Sequence, residues 1–140
     1  MNGRERIKLA LAHREADRVP VDFGGCAQTT IQAGVVAKLR EHFGLERRPV
    51  IVEEPYTMMG RLDEDLKQAM GVDVDALNPL YSFFGLRRAG WKEFRMEDRL
   101  EVLVPGEFNY LLNPGNPQFT LDWVVAGPLA FPFDGRLTKA

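Results

Sequence analysis

The chain has 140 residues, 45% of them hydrophobic and 27% charged, which is the composition of a globular domain and not of a disordered segment. Its formal net charge of −2 gives no electrostatic reason to expect nucleic acid or an anionic membrane as a partner. Cys26 is the single cysteine, so an internal disulfide is excluded, and no stretch approaches the roughly 18 apolar residues of a membrane-spanning helix. We therefore expect a cytoplasmic protein.

The first predicted element is a helix that begins after Asn2. Asn2 and Glu5 have the spacing of a capping box, in which each side chain bonds the backbone of the other residue. Ile7, Ala10 and Leu11 then repeat at helical spacing and predict one apolar face.

Residues 18–25 read Arg-Val-Pro-Val-Asp-Phe-Gly-Gly and predict a short strand followed by a glycine turn. Apolar and polar residues alternate through residues 19–23, as in a strand with one apolar face. Gly24 and Gly25 end it with a backbone that turns freely. This turn either lets a ligand approach the backbone or only reverses the chain, and both interpretations stay open.

A second helix is predicted to start at Thr29 or Thr30 and to end at Gly44, a residue suited to a left-handed C-cap. A short apolar run follows at residues 50–52, and a third helix runs from Asp63 to Gly71. Strict alternation at residues 72–77 then predicts another strand. The pattern is that of an α/β protein.

Two pairs of carboxylates in these elements are candidates for catalytic or metal-binding groups. Asp73 and Asp75 lie on one predicted strand face and either bind a metal or share a proton, or mark an exposed strand end, which is the commoner case. Glu53 and Glu54 are adjacent and point to opposite sides of an extended chain, so they do not form a dyad that shares one proton.

Two β-rich runs within residues 91–104 predict a hairpin. The residues predicted to form the core share apolar positions at helical or strand spacing. They are Ile7, Leu11, Val21, Ile31, Val35, Leu39, Val72, Val74 and Leu77.

Four parts of the chain resemble a known family. They are Arg4-Glu5-Arg6 with Ala10-Leu11, residues 17–25, residues 71–74 and residues 104–109. Together they resemble the N-terminal part of the uroporphyrinogen decarboxylase superfamily, which also contains corrinoid-dependent methyltransferases. The segment at residues 17–25 is the most specific of the four.

The resemblance implies a partial (β/α)8 TIM barrel of the uroporphyrinogen decarboxylase type, with a β-hairpin inserted around residues 91–104. A complete barrel takes about 250 residues, so 140 would form only part of one. Residues 1–109 would be the family-like part of a single incomplete α/β domain, and residues 110–140 a divergent tail.

The chain departs from the true decarboxylases where those enzymes bind their substrate. In them, two arginines follow the first strand and an aspartate follows the second, whereas residues 22–28 here contain no arginine and residues 78–81 contain no acid. The resemblance therefore favours the N-terminal fragment of a methyltransferase-like enzyme with a corrinoid or tetrapyrrole-related substrate. Its relatives use zinc and corrinoid through ligands that lie beyond residue 140, so no metal or cofactor site is predicted in this chain.

Barrel enzymes bind their substrates at the C-terminal ends of the strands, which here are the loops at residues 22–28 and 78–81. Asp22 is the predicted catalytic residue, as an acceptor or a base, although it is equally suited to capping the turn. The predicted substrate-binding residues are Phe23, Gly24, Gly25, Asn78 and Tyr81.

Two other functions compete with the enzyme. The chain is either a non-catalytic binding or assembly module that pairs with a second chain or a missing C-terminal half, or an inactive truncated remnant. In the enzyme interpretation the expected partner is a small-molecule substrate, with no nucleic acid and no membrane.

Overall fold

The structure, a computed structural model, describes residues 1–26, 28–55, 57–82, 85–96 and 99–108. The predicted divergent tail at residues 110–140 lies outside these ranges. The described helices are α1 (Gly3–Leu11), α2 (Ala33–His42) and α3 (Glu64–Met70). The described strands are β1 (Ile31–Gln32), β2 (Val50–Glu54), β3 (Met59–Gly60), β4 (Lys92–Arg95) and β5 (Glu101–Val104).

The strands form one mixed sheet in the order β1-β3-β2-β5-β4. β2 and β5 pair in parallel, and the other three neighbouring pairs are antiparallel. A (β/α)8 barrel is instead built from parallel strands that are each followed by a helix. The predicted partial barrel is therefore wrong: the described residues form a small α/β fold with one mixed sheet and three helices.

The hairpin expected at residues 91–104 is present, with Lys92 of β4 opposite Val104 of β5. Residues 97–98 of its turn lie outside the described ranges. The hairpin is not an insertion into a barrel, because β5 also pairs with β2, with Val50 opposite Val102. It completes the sheet on one side of β2.

The two segments predicted as strands at residues 18–23 and 72–77 lie outside the sheet. They meet where the Asp73 backbone N–H donates to the Val21 carbonyl oxygen at 2.8 Å. The Val21 N–H donates to Asp73 Oδ2 at 2.9 Å. In a β-ladder a backbone carbonyl oxygen of the neighbouring strand would accept this hydrogen bond, but here a side-chain carboxylate accepts it. The alternating pattern therefore does not produce a strand here.

The capping box at the start of α1 is confirmed. Glu5 N donates to Asn2 Oδ1 at 2.9 Å, and Asn2 N donates to Glu5 Oε2 at 2.9 Å. This satisfies two backbone donors that the first turn of a helix leaves unpaired.

α2 begins later than predicted. Gln32 Oε1 accepts hydrogen bonds from Gly34 N at 2.6 Å and Val35 N at 3.2 Å, so Gln32 caps the helix and not a threonine. The Thr30 hydroxyl instead donates to the Cys26 carbonyl oxygen at 2.7 Å, inside the preceding loop. With 10 residues, α2 is the longest described helix, and none of the helices described is long and apolar enough to cross a membrane, which takes about 20 residues.

The core differs from the predicted one because α2 buries another face. Ala33, Val36 and Arg40 are buried, whereas Val35 is exposed. Leu11 and Leu77 were also predicted in the core and are exposed. The buried apolar residues are Ala33, Val36, Val50, Val52, Leu62, Leu66, Leu86, Phe94, Val102, Val104 and Phe108.

Asp73 and Asp75 do not act as a pair. The Asp73 carboxylate is 3% exposed and accepts from Arg6 Nη1 at 2.9 Å and from Arg18 Nη1 at 2.6 Å. Its pKa is lowered, chiefly by the backbone N–H of Val21. Asp75 bonds Lys67 Nζ at 2.8 Å. Asp73 therefore connects α1, residues 18–21 and residues 71–73, which is a structural role.

Two further carboxylates, those of Asp17 and Asp65, make the stability of the fold depend on pH in the acidic range. Two hydrogen bonds from Arg6 lower the pKa of Asp17 from 3.8 to about 2, and hydrogen bonds from Arg40 lower that of Asp65 from 3.8 to about 2. Between about pH 2 and pH 4 the unfolded state therefore binds more protons than the folded state. We expect the contribution of these two carboxylates to the free energy of unfolding to be complete above about pH 4 and to be lost as the pH falls through about 2.

Urea unfolding at a series of acidic pH values measures this dependence. A variant with both Asp17→Asn and Asp65→Asn is expected to lose less stability over the same interval. Glu15→Gln is the control, because Glu15 makes no ion pair within the described part of the chain. A double variant as sensitive to acid as the parent would contradict the assignment.

Candidate functional site

The glycine turn after residue 22 is present, and Asp22 holds it. Asp22 Oδ1 accepts from Gly25 N at 2.9 Å and from the Thr29 hydroxyl at 3.2 Å. Gly24 has a positive φ of 85°, which favours glycine, and its N–H donates to the Thr29 carbonyl oxygen at 3.0 Å. These bonds match the turn-capping interpretation of Asp22, and its catalytic role stays a prediction.

Gly25 brings the turn close to the neighbouring segment. A Cβ atom at Gly25 would lie 2.5 Å from Asp22 Oδ1 and 2.7 Å from Val74 Cγ1. A glycine at this position therefore lets the turn pack closely against Asp22 and Val74, and no ligand is needed to explain it.

A cleft of about 100 Å³ lies between this turn, the end of β2, β3 and residues 75–78. We call it the loop cleft. Phe23, Gly24 and Asn78, all predicted to bind substrate, line it together. Asp22, Gly25 and Tyr81 are not among its lining residues. The structure therefore brings together part of the predicted site, from two loops far apart in the sequence.

A glutamate that the sequence did not assign to the site also lines the loop cleft. Glu53 Oε1 accepts from Arg61 Nε at 2.6 Å, and Asn78 Nδ2 donates to Glu53 Oε2 at 3.1 Å. The Glu53 side chain is 12% exposed. The Arg61 guanidinium also lies 5.4 Å from the centroid of the Trp91 ring, in cation–π range.

One sequence signal could have found Glu53. It follows the apolar run at residues 50–52 directly, near the C-terminal end of β2, and ligand-binding groups collect at such strand ends in open α/β sheets. Its adjacency to Glu54 drew attention to a shared proton instead. Arg61 carried no local signal, because its function here depends on the pairing of β3 with β2.

A second ion pair lines the same cleft. Lys67 of α3 lies 2.8 Å from Asp75, whose hydrogen bond raises the pKa of the lysine. The same bond lowers the pKa of Asp75. Both groups are therefore charged at neutral pH. With Glu53 and Arg61 the loop cleft offers carboxylate acceptors and cationic donors to a small polar ligand.

Within the described ranges, no cluster of three or more histidine, cysteine, aspartate or glutamate side chains is placed to hold a metal ion. Tyr81, the remaining predicted binding residue, is about half exposed and forms an isolated β-bridge with Arg87. No family model matches the chain, and no curated protein or solved structure matches it either.

Proposed function

We propose that this chain supplies part of the substrate site of an enzyme of the uroporphyrinogen decarboxylase superfamily, on its methyltransferase-like side. One observation carries the proposal. Phe23, Gly24 and Asn78, which the resemblance assigns to substrate binding, converge on one cleft around the hydrogen-bonded carboxylate of Glu53.

The volume of the loop cleft limits what it holds. Pockets that enclose a whole drug-sized ligand have about 300–1,000 Å³. A cleft of about 100 Å³ receives one small polar molecule or one carboxylate arm of a larger corrinoid or tetrapyrrole, and not the macrocycle.

The charged groups define how such a ligand binds. Arg61 and Lys67 donate charge-assisted hydrogen bonds to a substrate carboxylate, and Glu53 accepts from an N–H or O–H of the same molecule. The zinc and corrinoid of the resembled enzymes would be held by a second chain or a C-terminal half. This chain's own task is to bind and orient the substrate.

Titration of the 15N-labelled chain with succinate, hydroxocobalamin and uroporphyrin tests the proposal. We expect at least one probe to shift the amide signals of Gly24, Arg61 and Asn78. Arg61→Met should weaken binding of a carboxylate probe by about fivefold or more, because it removes a cationic donor. Glu53→Gln should tighten that binding, because it removes the carboxylate that pairs with Arg61 and repels the probe.

Glu93→Gln is the matched control, since Glu93 is exposed on β4 and does not line the loop cleft. Shifts that miss the loop cleft, or no binding of any probe, would contradict the proposal. Turnover of uroporphyrinogen by the chain would contradict the methyltransferase-like assignment, because the arginines expected for that substrate are absent from residues 22–28.

A non-catalytic assembly module is the second candidate. It is supported by Leu77, Leu80 and Tyr81, which are 99%, 78% and 53% exposed within one short segment. Exposed apolar patches mark interaction surfaces. The same titration separates the two: a module that only pairs with a second copy binds none of the probes, and its NMR lines broaden with protein concentration.

A further inference from the structure

An open groove of about 540 Å³ lies where α2 meets the loop before β2 and the start of β5. Its lining comes from residues 34–41, 47–49 and 99–101, and we call it the arginine groove. It shares no lining residue with the loop cleft and has more than five times its volume. That volume lies in the range of pockets that bind small molecules.

The lining is cationic. Five lysine or arginine side chains face two glutamates. Arg47 pairs with Glu41 at 2.7 Å, and Arg40 and Arg48 pair with Asp63 and Asp65, which do not line the groove. Glu101 is the other acid of the lining. Lys38 and Arg99 make no ion pair within the described ranges. Positive charge is therefore left over in the groove.

Arg40, whose charge is balanced by Asp65 and Asp63, gives the groove a rigid wall. It is 2% exposed, and its Nε and Nη2 donate to the Glu46 carbonyl oxygen at 3.0 and 2.8 Å. Its Nη1 and Nη2 also donate to the two carboxylate oxygens of Asp65 at 2.9 Å each. Arg48 bonds the same carboxylate at 2.9 Å. These guanidinium groups are thus held in place before any ligand arrives.

Arg99 supplies an independent observation. Its φ of 67° lies in the left-handed region that favours glycine, and its N–H donates to the Met96 carbonyl oxygen at 2.9 Å. An arginine in this conformation strains the backbone, and such residues collect at ligand sites. A cation that makes no ion pair with the described residues therefore occupies a position where glycine would fold with less strain.

We propose that the arginine groove binds a small organic dianion, such as a phosphate monoester or a dicarboxylate. Lys38 and Arg99 neutralise the anionic group. The guanidinium fork of Arg99 matches phosphate and carboxylate oxygens, and the ammonium of Lys38 adds a second positive charge. Ala37, Pro49 and Leu100 of the lining pack against the organic part. This site is separate from the loop cleft and does not rest on the proposed function.

Titration with phenyl phosphate, phthalate and inorganic phosphate at low and high salt tests the proposal. We expect one of the two organic dianions to bind with a Kd of about 1 mM or tighter, more tightly than inorganic phosphate. Binding should weaken as salt screens the exposed charges. The comparison of the first two probes decides between a phosphate and a dicarboxylate.

Arg99→Gly separates binding from folding. It removes the cation and relieves the positive φ, so affinity should fall by about fivefold or more while the melting temperature stays equal or rises. Lys38→Met should also weaken binding. Glu101→Gln should tighten it, because the variant removes a carboxylate that repels the ligand.

Arg4→Gln is the control, since it removes an equal charge from an exposed position on α1 outside the groove. It should keep affinity within about twofold of the parent. The proposal is overturned if neither organic dianion binds the parent, or if Arg99→Gly binds as the parent does. It is also overturned if Arg4→Gln weakens binding as much as Arg99→Gly.

Discussion

Gly60→Val is expected to lower the free energy of unfolding by about 3 kcal/mol, because β3 has no room for a side chain where α2 crosses it. A Cβ atom at Gly60 would lie 2.7 Å from Val50 Cγ1 and 2.9 Å from Ala33 Cα. Ala33 Cα belongs to the backbone of α2, so the overlap is relieved only by moving the helix away from the sheet.

Urea denaturation measures the loss, and Val35→Ala is the control on the same helix. Val35 is 45% exposed, so the smaller side chain leaves no cavity between α2 and the sheet, and alanine favours the helix. The control should change stability by less than about 1 kcal/mol. Equal stability of Gly60→Val and the parent would show that α2 does not pack on β3 as described.

Arg40→Met is expected to destabilise the chain by about 3 kcal/mol, because it removes a buried guanidinium and the hydrogen bonds that it donates. The Glu46 carbonyl oxygen loses two hydrogen bonds, and Asp65 loses its bidentate partner. Asp65 is 38% exposed and regains water, which keeps the effect at the lower end of the range for buried pairs.

Arg40→Lys tests whether charge or geometry matters. Lysine keeps the charge but has no planar fork, so it reaches either the carbonyl oxygen or the carboxylate. We expect a stability between those of the parent and Arg40→Met in the same urea titration. A methionine variant as stable as the parent would mean that apolar packing replaces the network without loss.

Several features of the fold could be predicted from the sequence because they depend on residues a few positions apart. The Asn2–Glu5 capping box is one. Gly44 and Gly71 are others: both end helices with positive φ, 65° and 66°, as only a residue without a side chain does at little cost. The hairpin of β4 and β5 also follows from local β-rich runs.

The same local reasoning found part of the loop cleft. The glycine turn and the chain after residue 77 were singled out, and Phe23, Gly24 and Asn78 do meet. Glu53 and Arg61 were not assigned to it, since their ion pair exists only because β2 and β3 are neighbours. Sequence patterns carry little information about which distant strands pair.

The sequence by itself determined the start of α1, the glycines that end α2 and α3, the glycine turn and the hairpin, all of which are decided by bonds within a few residues. The tertiary structure decided that Arg40 is buried, although arginine is ordinarily exposed, because its fork bonds residues far along the chain. It also decided that residues 72–77 stay out of the sheet, since the Asp73 side chain takes the hydrogen bond of Val21. An alternating pattern of apolar and polar residues determines which side chains share a face of an extended segment. Only the tertiary structure determines which part of the molecule packs against that face.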